Sequence, residues 1–218
     1  MKNAIRPNNK GLTLIELLVA LVICAMVVAG IYRLFIAQSR AYTVQDQVVE
    51  VQQNIRSAME VMLRDLRMTA YDDDRTPLVT IAQPSIDPGD DSITVRYELN
   101  NAPYEVRYSL EGGATLNRQE TRLVNGVSTT TTEPILENVE ALNFTYGVDE
   151  NEDGAMDDRN ANGQLDDWVS AGTIGSLKVV SVRVGLTARP TQMNPDVQSV
   201  TPRTLVSAIT FRNLSLMR

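Results

Sequence analysis

Two consecutive nine-residue stretches repeat one arrangement of oxygen donors: Asp149-Glu150-Asn151-Glu152-Asp153-Gly154-Ala155-Met156-Asp157, then Asp158-Arg159-Asn160-Ala161-Asn162-Gly163-Gln164-Leu165-Asp166. Each carries side-chain oxygens at positions 1, 3, 5 and 9, glycine at position 6 and an apolar residue at position 8. Hard cations such as Ca²⁺ take roughly six to eight oxygen ligands, and a glycine in the sixth place allows the sharp turn that converges them. Position 7 would add a main-chain carbonyl, from Ala155 and Gln164. The candidate ligands are therefore Asp149, Asn151, Asp153, Ala155, Asp157, Asp158, Asn160, Asn162, Gln164 and Asp166, and Ca²⁺ is the expected ion. An EF-hand is excluded, because position 12 counted from Asp149 is Asn160 where a bidentate Glu is required. The first unit has more carboxylates and is expected to bind more tightly. The competing reading is a solvated Asp and Asn loop.

Other chemistries fare worse. The chain has no histidine, the commonest general base and neutral metal ligand. Ser92, Ser109 and Ser181 fall in alternating strand patterns with no Gly-x-Ser-x-Gly elbow. Paired acids can serve a glycosidase, but here they cluster in a glycine-spaced loop that suits a cation better. A membrane-anchored hydrolase is thus disfavoured, and no enzyme activity is expected. The formal charge of −7 offers nucleic acid no attraction, so no nucleic-acid partner is expected; a DNA-uptake role would have to use Arg96, Arg107, Arg118 and Arg122 on one sheet face.

A second feature with chemical meaning is Glu16, the one charge in an apolar segment from Leu12 to Tyr32, long enough to cross a bilayer as a helix. An acid inside a membrane span is costly and asks for a cation. Lys2, Arg6 and Lys10 precede the span without any acid, which places that flank in the cytoplasm and the rest of the chain outside. The span holds Cys24, the only cysteine, so the exported part has no internal disulfide.

The stretch Lys10-Gly11-Leu12-Thr13-Leu14-Ile15-Glu16-Leu17-Leu18 resembles the type IV prepilin signature, a basic leader ending in Gly before an apolar residue, Thr and Glu. The resemblance implies cleavage by a prepilin peptidase between Gly11 and Leu12, methylation of the new amine on Leu12, and an assembly role for Glu16 against a neighbouring subunit's amine. The chain departs from most pilins in starting there with Leu rather than Phe or Met. Removal of residues 1–11 leaves 17 basic against 27 acidic residues, a charge of −10. The alternative is an uncleaved signal anchor.

The elements that carry these residues follow from periodicity. Val44, Val48, Val51, Ile55, Ala58 and Met62 recur at spacings of four and three, with Gln45, Asp46, Gln47, Glu50, Gln52, Gln53, Arg56 and Glu60 forming a wet face. With no proline from Leu12 to Pro77, the pattern predicts one helix from about Leu12 to about Thr69, its first half (12–32) transmembrane; a short coiled coil over 44–62 is the lesser reading. Tyr71 to Pro77 reads as a solvated connector. Alternation predicts a hairpin from Ile93 to Leu110 turning over Asn100-Asn101-Ala102-Pro103, a strand near Ala114 to Gln119, a tight turn at Asn125-Gly126, and strand edge or loop at Thr129 to Thr132. One strand is expected from Ile135 to Gly147, others over Val180 to Ala188 and Leu205 to Phe211, with a loop from Arg189 to Arg203.

Helix first and strands after is an α+β pattern: a long N-terminal helix (12–70) packed on a C-terminal antiparallel β-sheet domain (71–218), with the acidic loop at 149–167. The segment from Val139 to Gly147, the Asp-rich loop, the valine-rich strand and Phe211-Arg212-Asn213-Leu214 are similar to the PilW family of minor pilins, whose relative in type II secretion is the pseudopilin GspJ. This implies a minor pilin that primes pilus assembly at or near the tip. Its expected partners are other minor and major pilins, the prepilin peptidase, the assembly platform, a tip adhesin and the inner membrane. The secretion pseudopilin is the alternative.

Overall fold

In a computed structural model, the fold is described over residues 11, 13–72, 85–124, 126–190 and 201–216. The chain divides into two compact units, Met1–Asp46 and Gln47–Arg218. One helix, α1 (Leu14–Arg67), contributes to both. In the first unit it is long and apolar enough to cross a membrane, and its residues are exposed from Leu14 through Phe35. A bare apolar helix surface of this kind needs lipid or other helices around it.

In the second unit α1 buries Gln47, Val51, Ile55, Ala58, Met59, Met62, Leu63, Asp65 and Leu66. The expected three-four periodicity is there, with one correction: Gln47 lies inside, only 9 % exposed, while Val44 and Val48 are half-buried. The helix end is held by side chain as well as main chain. Asn213 in α3 (Arg212–Leu216) donates from Nδ2 to the Thr69 carbonyl (3.1 Å), satisfying an oxygen just beyond the last turn.

Among the described residues, eight strands build the expected antiparallel β-domain as two sheets. The first has the order β1 (Ile86–Pro88), β2 (Ser92–Leu99), β3 (Ala102–Glu111), β4 (Thr115–Val124) and β5 (Val127–Leu136). The second is β6 (Val139–Asp149), β7 (Lys178–Ala188) and β8 (Arg203–Thr210). The β2–β3 turn is Asn100-Asn101 alone, both at positive φ (53° and 56°), the geometry of a type I′ hairpin. Ala102 and Pro103, expected in the turn, pair instead with Leu99 and Glu98. The expected tight turn at 125–126 joins Val124 to its partner Val127, and Thr129 to Thr132 lie in the edge strand β5. Asn125, residues 73–77 of the connector and residues 191–200 of the proline loop lie outside the described residues.

The run Ile135 to Gly147 is two strands, not one. Asn138 takes φ of 55°, and the chain passes from the first sheet to the second there. The main-chain N–H of Val139 donates to Ala114 O (2.9 Å) and Arg189 N–H to Asn138 O (2.9 Å), fixing the crossover on both sides.

One core joins α1 and both sheets, with Tyr108, Tyr146, Phe144, Phe211, Ile55 and Met62 among its largest fully buried side chains. It encloses a charged cluster. Asp65 on α1, 4 % exposed, accepts from the Tyr108 hydroxyl (2.7 Å) and from Arg118 Nε (2.6 Å), and Arg118 Nη2 reaches Glu120 (2.6 Å). Burial works against the Arg118 charge, but its carboxylate partners more than offset this and hold its pKa above the ordinary value. The register explains the placement: Leu116, Arg118, Glu120 and Arg122 lie opposite Leu110, Tyr108, Val106 and Tyr104, on the inner face of the sheet.

Burial raises the pKa of Tyr97 to about 12, with the Asp65 charge adding to it, and the same two causes raise Tyr108. Burial also raises Tyr146, whose hydroxyl donates to Gly89 O (2.7 Å). An unfolded tyrosine loses its proton near 10, so the folded state binds more protons above that pH. Stability from Tyr97 is therefore complete below about pH 10 and lost as pH rises through about 12. In an alkaline titration followed by phenolate absorbance, these three of the seven tyrosines should ionise only as the chain unfolds. Ionisation of all seven in one step near the ordinary value, with the fold intact, would contradict this.

Candidate functional site

The N-terminal candidate is built by the start of α1. Thr13 stands just before the helix; its main-chain N–H and its hydroxyl each donate to Glu16 Oε2 (2.9 Å), and Glu16 N–H donates back to Thr13 Oγ1 (3.4 Å). This is a capping box, in which Thr-x-x-Glu satisfies helix-end donors reciprocally. The Thr-Glu spacing thus has a local structural use in addition to any assembly role. Gly11 is exposed, with open space where a Cβ would sit; Leu12 lies outside the described residues.

The acidic loop springs from the end of β6 and returns to it twice. Asp157 N–H donates to Val148 O (3.0 Å), closing the first unit, and the Tyr146–Val169 bridge closes the second. Each unit folds into the same turn. In the first, Asp149 accepts from the main-chain N–H of Asp153 (3.2 Å) and Gly154 (2.8 Å), Asn151 Oδ1 from Asp153 N–H (2.9 Å), and Asp153 Oδ1 from Ala155 N–H (2.8 Å). In the second, Asp158 accepts from Asn162 (3.1 Å) and Gly163 (2.6 Å), Asn160 Oδ1 from Asn162 N–H (3.0 Å), and Asn162 Oδ1 from Gln164 N–H (2.7 Å). Gly154 and Gly163 take positive φ, 87° and 81°, which is the turn that the sixth-position glycine predicts.

The closing carboxylates differ. Asp157 accepts from Glu150 N–H and from Asn151 Nδ2 (2.8 Å). Its structural counterpart is Asp167, which accepts from Asn160 N–H (2.9 Å) and Nδ2 (2.7 Å), while Asp166 receives only longer contacts from Asn162 Nδ2 (3.3 Å) and Asn160 Nδ2 (3.5 Å). The nine-residue count missed Asp167 because the second unit closes one residue later; the doubled Asp166-Asp167 was the available signal. With it, each turn has three carboxylates accepting hydrogen bonds within it, Asp149, Asp153 and Asp157 against Asp158, Asp166 and Asp167, without their converging as a group. Arg159 Nε pairs with Glu150 (2.7 Å) across the two units.

The first unit is also anchored below. Ser181 Oγ on β7 donates to Met156 Sδ (3.6 Å), and a Cβ on Gly147 of β6 would lie 2.5 Å from that sulfur, so the side chain rests where only glycine leaves room. Leu165, at the same position in the second unit, is 61 % exposed. After the loop, Trp168 packs under the Arg183 guanidinium (5.0 Å). Among the described residues, no three Asp, Glu, Cys or His side chains gather as a metal-holding group. A cation in either turn therefore has to draw on Asn and main-chain oxygens, which are present and are of the hard type that Ca²⁺ takes.

The four arginines weighed for nucleic acid do not share a face. Arg118 and Arg122 point with the inner residues, Arg122 over the Tyr104 ring (5.2 Å), whereas Arg96 and Arg107 occupy the alternate positions and Arg96 pairs with Glu105 (2.7 Å).

An apolar N-terminal helix that continues into an α+β unit with antiparallel sheets defines a type IV pilin-like protein. Two family models agree with that class: the prokaryotic N-terminal methylation motif matches residues 6–32, and type IV pilus-assembly protein W, PilW, matches residues 103–212. The PilW match spans half of the chain, and the chain belongs to that family. Searching the curated proteins returns no match. The family is a structural component of pili and not an enzyme family.

Proposed function

We propose that this chain is a minor pilin that joins other minor and major pilins to prime filament growth and is retained at or near the pilus tip. Glu16 carries the reading: a lone carboxylate near the start of the apolar, exposed first part of α1, within the matched methylation motif. The leader stays in the cytoplasm and is removed by the prepilin peptidase between Gly11 and Leu12. The β-rich unit waits in the periplasm until the assembly platform draws the helix out of the inner membrane. Thr13 holds the carboxylate at the helix start, where a neighbouring subunit's freed amine meets it. Sheet edges and loops then remain outside for a partner such as a tip adhesin. The PilW match favours this over a secretion pseudopilin.

The acidic turns bind Ca²⁺ in this proposal, which would order a loop that is otherwise self-repelling. Asp149, Asn151, Asp153, Asp157 and the Ala155 carbonyl would hold the ion in the first turn, and Asp158, Asn160, Asn162, Asp166, Asp167 and the Gln164 carbonyl in the second. Support comes from the shared turn geometry and the hard-oxygen donor set.

Two substitutions separate the assembly role of Glu16 from its capping role. Gln serves the third helical position of a capping box as Glu does, but carries no charge. Both Glu16→Ala and Glu16→Gln should accumulate in the membrane yet enter surface filaments at least about tenfold less, the factor that 1.4 kcal/mol carries. Normal incorporation of Glu16→Gln would refute charge pairing.

A further inference from the structure

We propose that Asn162-Gly163 is a spontaneous deamidation site, and that its aspartyl product gives the second turn the acidic fifth residue that the first turn already has in Asp153. The inference does not depend on whether the loop holds a cation. It rests on three local observations.

Both residues are exposed, and a Cβ placed on Gly163 would meet nothing within 4 Å, so neither a side chain of its own nor a packed neighbour crowds the residue whose nitrogen must attack. The Asn162 carboxamide is already folded back along the chain: Oδ1 accepts from Gln164 N–H (2.7 Å), an Asx turn that lays the amide beside the Gly163 peptide. Its leaving nitrogen, Nδ2, faces the Asp166 carboxylate (3.3 Å).

In the reaction, the Gly163 nitrogen gives up its proton to solvent base and attacks Cγ of Asn162. The N–Cγ bond forms, the Cγ–Nδ2 bond breaks, and Nδ2 leaves as ammonia after gaining a proton. Water then opens the cyclic imide at either carbonyl to give aspartate or isoaspartate. One water is consumed and one ammonia released, with no oxidant or reductant. The bond from Gly163 N–H to Asp158 Oδ2 (2.6 Å) has to break for the attack, so Asp158 acts as a brake.

Asn160 supplies an internal control, because it is also an exposed loop asparagine but is followed by Ala161. Trypsin, cutting after Arg159 and Lys178, releases both on one peptide, residues 160–178. The full-length protein in detergent micelles is incubated at mildly alkaline pH, digested and sequenced by fragment mass spectrometry. The expected result is loss of the amide at Asn162 with Asn160 retained, and suppression of that loss in Gly163→Ala. Two results would overturn the proposal: Asn162 keeping its amide while the urea-unfolded chain loses it, or equal conversion at Asn160 and Asn162. Both comparisons are made in the unmodified sequence, so they decide the matter even if Gly163→Ala disturbs the turn.

Discussion

Arg118→Met should lower stability by about 3–5 kcal/mol, a cost that comes less from the lost pair than from what it leaves behind. Asp65 is 4 % exposed, and without Arg118 its charge keeps the Tyr108 hydroxyl and, at 3.5 Å, the largely exposed Arg64. Removing both charges relieves that penalty. The double variant Asp65→Leu, Arg118→Met should therefore be more stable than Arg118→Met alone, since apolar replacement of a whole buried pair is often neutral or stabilising. Denaturant unfolding of the detergent-solubilised chain measures both. Strictly additive losses would show that the pair is not coupled, and the packing of α1 on the first sheet would then need another polar anchor.

The second large effect concerns the acidic loop. If Ca²⁺ binds the native turns, a concentration of one hundred times Kd should stabilise the chain by about 2.7 kcal/mol. At about 2–4 °C per kcal/mol for a unit of this size, the melting temperature should rise by roughly 5–11 °C. Asp149→Ala should abolish most of that rise, because Asp149 accepts from two main-chain donors of the first turn and is itself buried. Asp167→Ala tests the second turn in the same way, with Glu152→Ala, whose side chain joins neither turn, as a neutral comparison. An unchanged melt on adding Ca²⁺ would leave a solvated loop as the correct reading.

Much of this architecture is legible in the residues. The three-four spacing from Val51 to Met62 marks the buried stripe of α1, alternation marks β2, β3 and β7, and Asn-Asn marks a turn that needs two residues at positive φ. Sequence reasoning fails where a tertiary event leaves little local trace. At the crossover the local signal was present but slight: the adjacent polar residues Glu137-Asn138 interrupt the alternation, and Asn138 tolerates the positive φ taken there. Arg118 reads as a wet-face residue until Asp65, 53 positions away, is seen to bury it. Gln47 misleads in the same manner, being polar but inside. In the acidic loop both turns were legible from Gly154 and Gly163, whereas Asp167 was hidden by a one-residue change in how the second unit closes. Thr13 and Glu16 could have been read as a capping box as well as a family signature.

The measurement closest to the central claim is the intact mass of this protein isolated from cells that contain a prepilin peptidase. The mass should correspond to a chain beginning at Leu12, with or without a methyl group on its amine. A chain that still carries residues 1–11 would contradict a processed pilin whose free amine meets Glu16 of a neighbour.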